Sequence, residues 1–423
     1  MFKIKIKKKN KKILLPTFIL AVLSILVCIL GNNHLEMILI TIGMVFIFRF
    51  ARFSYFTVFS FILWFSYLQE YIASINPSLA AGRLMAGLRV PVYHTELFVC
   101  MMYFFITELI IFSLTNVIES EREMYKRKIT LKRNCAYLFA VSALSLVFLA
   151  YPSLPSLSAK LTRDEGIIPS SLAVGFSMLL LGIVFDSLKN SLFLKIVSFL
   201  TLFWILFHGD RVIVMGYLVY VLLKYVHNGK INMSSFKSII FNKRTVIIFI
   251  SIIIVLVLAI RIQITREGMK FDYSFNNVLL SLIKQGTAGD VVYAFNGSVD
   301  MWKSGNCVGF IPYMYYISNI IPNANHNYYT AVILINKYNT MGGGLFFTEP
   351  MISGGMIVTF IHSAFFLLMV AWVYCKKNEY HSFLIIPFSI LIFRFAWYAS
   401  CAALVKMFLY YVPLTYLIAK KVK

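Results

Sequence analysis

The sequence predicts an all-α integral membrane protein with about twelve transmembrane helices. Three observations carry that reading. Of 423 residues, 60% are hydrophobic and only 13% charged, about half the roughly 25% charged of a soluble domain. A chain this apolar would present large greasy patches to water. The apolar residues also fall in runs near the roughly 20 that carry a helix across a hydrocarbon core. Trp and Tyr gather near the ends of the runs, as in the interfacial belts of membrane proteins.

The N-terminus, MFKIKIKKKNKKILLPTFILAVLSILVCILG, imitates a secretory signal. Its apolar stretch from Ile13 to Leu30 is long for one, and no small-residue cleavage site follows, so it reads as a retained first helix. The runs place spans at 13–31, 35–48, 53–69, 95–117, 135–151, 168–186, 191–207, 212–226, 245–261, 355–375, 382–398 and 402–419. The chain thus divides into a membrane domain of about nine spans (1–261), a large loop (262–354) and a membrane domain of three spans (355–423). A connection that long is uncommon unless functional. Within it, FNNVLLSLIKQG (275–286) and NYYTAVILINKYN (327–339) read as short helices with one apolar face. GTAGDVVYAFNGSVDMW and IIPNANHN read as turns and polar groups. No internal repeat is visible.

The net charge is +23. On a soluble protein that would raise nucleic acid as a partner. Here the basic residues sort by side, and 27 of the 40 Lys and Arg fall on one. That side is the cytoplasm by the positive-inside rule, so both termini are inside, the long loop is outside, and no nucleic acid is implied. The six cysteines are scattered without a CxxC, and only Cys307 lies well inside a loop, so neither a disulfide framework nor a metal site is expected.

Cations that defy the inside rule are informative. Arg211 sits in HGDRVIVMG, an outer hairpin between the seventh and eighth spans. Arg261 ends the ninth span, Arg266 follows it, and Arg394 lies near the outer end of the eleventh. Any one of these could be a snorkelling side chain. Arginines at the outer ends of several spans together suggest an anion pocket, because the planar guanidinium donates bidentate hydrogen bonds to phosphate. A lipid pyrophosphate is the candidate ligand. Asp210 would pair with Arg211 and orient it. The chain lacks GxxxxGK[ST], HExxH and GxSxG, and no acidic cluster occurs in an outer loop, so no nucleotide, metal or cofactor is implied.

Near the end of the long loop the chain reads GGGLFFTEPMISGG, from Gly342 to Gly355. Glycines such as Gly343, Gly344, Gly354 and Gly355 permit close backbone approach or positive φ. Between them stands one acid, Glu349, which reads equally as a first-turn helix acid beside Pro350 or as a proton acceptor.

Together, about twelve spans, the HGDRVIVMG hairpin, a large late outer loop and GGGLFFTEPMISGGM entering a helix resemble the O-antigen polymerase (Wzy) family of lipid-linked oligosaccharide polymerases. HNYY (326–329) is similar to a His-Asn stretch of the related O-antigen ligases. The resemblance covers the whole chain in topology and only these stretches in sequence. It implies a GT-C-like helical fold in a bacterial inner membrane and a metal-independent glycosyltransferase without cofactor. Undecaprenyl-pyrophosphate-linked oligosaccharide would serve as both donor and acceptor at the periplasmic face, with a chain-length regulator protein as a partner. On that reading Arg211 and Arg261, then Arg266 and Arg394, bind pyrophosphate and stabilise its growing charge. Glu349 is the first choice for the base and His326 the second. The competing functions are a lipid-linked oligosaccharide flippase, disfavoured by the long loop and the missing repeats, and an O-antigen ligase.

Overall fold

A computed structural model describes residues 11–76, 82, 90–154, 167, 170–208, 210–228, 286–318, 330–340, 343–376 and 378–422. The described residues are helical with no strand. Eight of their helices are long and apolar enough to cross a membrane. The expected span at 245–261 and residues 275–285 of the expected helix at 275–286 lie outside the described residues.

In chain order, α1 (Lys11–Leu30), α2 (Asn33–Ala51), α3 (Tyr55–Ile75) and α4 (His94–Leu114) follow the first four apolar runs. The Asn32 side chain caps α2 by accepting from the His34 and Leu35 N–H groups, and Ser54 caps α3 by accepting from Thr57 N–H. These caps satisfy donors that a helix start leaves open. The polar α5 (Val117–Lys126) leads to α6 (Arg133–Ala150), α7 (Ser170–Val184), a 3-10 stretch (Phe185–Asn190), α8 (Leu192–Phe207) and α9 (Arg211–His227). Then come α10 (Gly286–Lys303), α11 (Ile311–Ser318), α12 (Thr330–Tyr338) and the long α13 (Thr348–Cys375). The chain ends with α14 (Glu379–Ile390), α15 (Ile392–Trp397) and α16 (Ser400–Lys406), which runs through a π-helical stretch, Met407–Tyr411, into α17 (Val412–Val422).

Three expectations need correction. The tenth span does not begin at 355: α13 starts at Thr348, and Gly354 and Gly355 form a kink inside it. The eleventh span, 382–398, is two helices broken at Leu391. GTAGDVVYAFNGSVDMW is no set of turns: it forms most of α10, and most of its residues are buried.

The chain folds as two compact units. The first takes Met1–Glu121, Lys284–Lys376 and Arg394–Tyr410; the second takes Arg122–Ile283, Lys377–Phe393 and Tyr411–Lys423. In the first, α10 packs against α3 and α13. Its run of Gly, Ala and Ser explains this: small residues let backbones approach closely where no hydrophobic drive favours association. Beside it an aromatic core stacks Phe59 on Phe104 and tilts Phe366 against Phe395, with centroids 5.5 and 5.2 Å apart. In the second unit, α6 offers α7 a stripe of small side chains, Ala136, Ala140 and Ala143, continuing to Val147 and Ala150. The Ser177 hydroxyl crosses the seam to donate to Ala143 O at 2.9 Å. Gly216 of α9 lies against the backbone of Ile390, where any side chain would collide.

Candidate functional site

The first unit gathers several of the expected residues. Residues 344–349 run beside 396–401, and four hydrogen bonds join them. Gly344 N–H donates to Tyr398 O (2.8 Å), Phe346 N–H to Ala396 O (2.8 Å), Ser400 Oγ to Phe346 O (2.9 Å) and Cys401 N–H to Glu349 Oε2 (2.6 Å). Gly343 completes the approach, since a Cβ there would stand 3.3 Å from Trp397 O. Arg394 belongs to the same place, with its guanidinium 5.0 Å from the Tyr398 ring centroid. It also lies near enough to Lys406 for their charges to interact.

Glu349 is thus the first-turn helix acid that its place beside Pro350 allowed. It is 4% exposed and sits in the first turn of α13. Its carboxylate meets the second N–H of α16, whose own preceding residue, Ala399, offers no side-chain cap. One carboxylate thus serves two helix N-termini, where partial positive charge favours an anion. Gly355, with φ 69° and ψ −151°, takes a conformation open to glycine, and a Cβ there would collide with the Trp302 indole. Gly354 has an extended φ of −175°. The kink frees Ile352 O, which accepts from Val308 N–H at 2.9 Å.

Beside this junction an apolar groove of about 390 Å³ opens between α11, α13 and α16. Phe310, Ile317, Val358, Phe365 and Leu404 line it, and Phe310 and Phe365 are strongly exposed. Two polar residues interrupt the apolar wall. The Tyr313 hydroxyl is hydrogen-bonded to His362 Nδ1 at 2.8 Å. His362 is 4% exposed, and its Nε2 has no hydrogen-bond partner. Cys401 is buried near Tyr313, and its N–H bond to Glu349 continues the chain of contacts to the acid. Burial, then the neighbouring Cys401 and Glu349, drives the Tyr313 hydroxyl far above its ordinary range, so it stays protonated.

A second polar network is buried in the same unit. His94 Nδ1 contacts Glu36 Oε2 at very short range, and the Tyr67 hydroxyl donates to the same oxygen at 3.2 Å. Thr95 Oγ1 donates to Glu36 Oε1 at 3.1 Å. Glu70 accepts from Asn296 Nδ2 at 3.1 Å, and Glu108 from Ser60 Oγ at 2.6 Å. At its margin Asp300 accepts from the Tyr93 and Tyr338 hydroxyls at 2.9 and 2.5 Å. Burial, then Asp300, pushes the Tyr93 hydroxyl up to about 12. Lys303 pairs with Glu96 and lies 4.5 Å from the Tyr93 ring centroid.

Arg211 opens α9 in the second unit, directly after Asp210. Asp210 is buried and accepts from the Tyr151 hydroxyl at 3.4 Å. Arg261, Arg266 and His326 lie outside the described residues. Among the described residues no three His, Cys, Asp or Glu side chains gather to hold a metal ion.

Sequence reasoning missed His362, Tyr313, Cys401 and the buried acids Glu36, Glu70 and Glu108. A signal for some was present, because an ionisable residue inside an apolar run is rare and calls for a partner. Comparison of this chain with protein-family models, curated proteins and solved structures found no match.

Proposed function

We propose that this chain is a multi-pass membrane glycosyltransferase that joins lipid-linked oligosaccharide repeat units, with about twelve spans, a GT-C-like arrangement and both termini in the cytoplasm. The observation that carries the reading is the apolar groove with a polar wall beside Glu349. The shape suits a polyprenyl chain, whose length needs an apolar seat and whose head needs polar contacts. Tyr313 and His362 supply the first of those contacts. Arg394, held over Tyr398 next to the glycine-rich segment, is the nearest candidate for the pyrophosphate in this unit. Arg211, Arg261 and Arg266 are the others.

In the reaction, a hydroxyl of the acceptor unit attacks the anomeric carbon of the growing glycan. The bond from that carbon to the pyrophosphate oxygen breaks, and undecaprenyl pyrophosphate leaves with the electron pair. Arginines stabilise the charge that develops on it. The hydroxyl proton passes to a base, for which Glu349 and His326 are the candidates. Glu349 also holds α16, so its charge serves position as well as chemistry.

A second reading has one observation in its favour. The buried Glu36–His94 contact is a protonatable pair at the starts of two apolar helices, and buried ionisable pairs serve proton relays in transporters. A flippase for the same lipid-linked unit would use it.

Glycan gel profiles of a deletion strain separate the two. Complementation with the wild-type gene restores a ladder of repeats. His362→Phe, which keeps a ring and removes both nitrogens, leaves core plus a single repeat at matched expression. A deletion strain with no repeat at all would favour the flippase and sink the polymerase reading. A full ladder with His362→Phe would remove the groove from the mechanism.

A further inference from the structure

The second unit holds a cavity of about 850 Å³ between the α5–α6 connection, the 3-10 stretch and the end of α9. Three cations from separate segments line it: Lys128, Arg133 and Lys189. One acid, Asp186, also lines it, and that charge is already met. Asp186 Oδ2 accepts from Lys224 Nζ at 2.5 Å and from Ile129 N–H at 2.8 Å. Lys224 is itself 2% exposed, so the pair is fixed inside the unit. Among the described residues the lining is therefore left with a net positive charge.

Arg133 is pre-oriented. Its Nε donates to the Tyr137 hydroxyl at 2.7 Å, and its guanidinium lies 5.3 Å from that ring's centroid. Tyr137 is in turn hydrogen-bonded to Ser191 at 3.3 Å. Among the described residues no acceptor meets the terminal amino groups of Arg133, and a fixed guanidinium loses little freedom on binding a phosphate. Ser187, Ser191 and Asn228 add neutral polar groups to the wall.

The floor is apolar. Ala136 and Leu194 belong to a buried cluster with Ala140, Val184 and Val197. Away from that cluster, α6 exposes Leu138, and α8 exposes Leu192, Phe193 and Ile196. A ligand with its anionic head in the cavity would find apolar helix faces beside it. That combination separates a lipid from a small soluble anion.

We infer that this cavity holds the phosphate head of an anionic phospholipid, with its acyl chains along α6 and α8. The basic connections around it mark the cytoplasmic side by the positive-inside rule, and that leaflet carries anionic lipid. The site is independent of the glycan chemistry proposed above. It would make the fold's stability depend on lipid charge.

The test uses the purified full-length chain in neutral detergent, titrated with short-chain phosphatidylglycerol or phosphatidylcholine, with thermal unfolding and native mass spectrometry as readouts. Phosphatidylglycerol should stabilise the protein and be retained, and phosphatidylcholine should do neither. Arg133→Gln/Lys189→Gln should weaken the effect about tenfold or more, while Lys376→Gln/Lys420→Gln, an equal loss of charge elsewhere, leaves it unchanged. Glycerol 3-phosphate alone should not reproduce it. If it does at equal concentration, the site takes a soluble phosphate and the lipid assignment falls. Equal retention of phosphatidylglycerol by wild type and Arg133→Gln/Lys189→Gln overturns the proposal whatever their thermal stabilities.

Discussion

Replacing Gly355 with alanine tests whether the kink in α13 is built in by the backbone. Two costs follow from the structure. With φ 69° and ψ −151°, the residue lies in a region essentially reserved for glycine, where a side chain costs about 1–3 kcal/mol. A Cβ there would also overlap the Trp302 indole, and such overpacking costs about 1–3 kcal/mol. The sum is about 4 kcal/mol, a large share of the roughly 5–15 kcal/mol that separates folded from unfolded states. Gly354→Ala is the control. Its φ is −175°, so it carries no positive-φ strain, but its Cβ would stand 2.5 Å from Val358 Cγ2 on the same helix, an overlap that costs about 1–3 kcal/mol and leaves it about 2 kcal/mol cheaper than Gly355→Ala. Trp302→Ala separates the two contributions: with the indole gone the overlap disappears, so Gly355→Ala should cost about 2 kcal/mol in that background. The assay is unfolding of the purified protein in mixed micelles by increasing SDS, followed by circular dichroism. Equal midpoints for Gly355→Ala and Gly354→Ala would refute the reasoning, because both sites crowd a side chain and only Gly355 adds positive-φ strain.

Glu349 offers a sharper functional split. Glu349→Gln keeps an acceptor for Cys401 N–H and should cost only about 1 kcal/mol in unfolding assays, yet abolish the glycan ladder if the acid takes a proton; Glu349→Ala should cost about 3 kcal/mol as well. Lys224→Met should destabilise the second unit by about 3 kcal/mol or more by stranding Asp186, and Lys224→Met/Asp186→Asn should recover most of it, as measured by thermal unfolding in detergent. Tyr93 should govern an alkaline loss of stability. Because its folded-state value of about 12 exceeds the ordinary value near 10, its contribution is complete below about pH 10 and is lost as pH rises through about 12. Tyr93→Phe should flatten that part of the unfolding profile against pH.

Apolar runs were easy to read because a span needs about twenty apolar residues and little else. The helices over the first four runs lie close to the expected limits. The errors came where the same residue types serve a different purpose. Glycines at 354–355 suggested a boundary, but they bend a helix that had already begun at Thr348. Glycines, Ser298 and Asn296 made 286–303 look like turns. In fact its small residues let it pack inside the unit, and Asn296 is satisfied by Glu70 and by the backbone N–H of Tyr93. Local pattern cannot tell these cases apart, since the deciding partners are distant in sequence: Trp302 for Gly355 and Glu70 for Asn296.

The same distance limit governs the site. The pattern of residues 342–355 marked the segment as special but not why. The reason lies in 394–401, which supplies Cys401 N–H to the acid and Tyr398 O to the glycines. Glu349 lies beside a helix start that has no side-chain cap of its own, so the acid is part of how α16 is held next to α13. Those two helices, with α11, form the walls of the apolar groove. If the groove seats a lipid chain, the acid cannot be removed without also moving the lipid seat. A loss of activity in Glu349→Ala would therefore say little about proton transfer. Glu349→Gln keeps the hydrogen bond and removes the charge, so it alone separates the acid's place in the fold from its part in the chemistry.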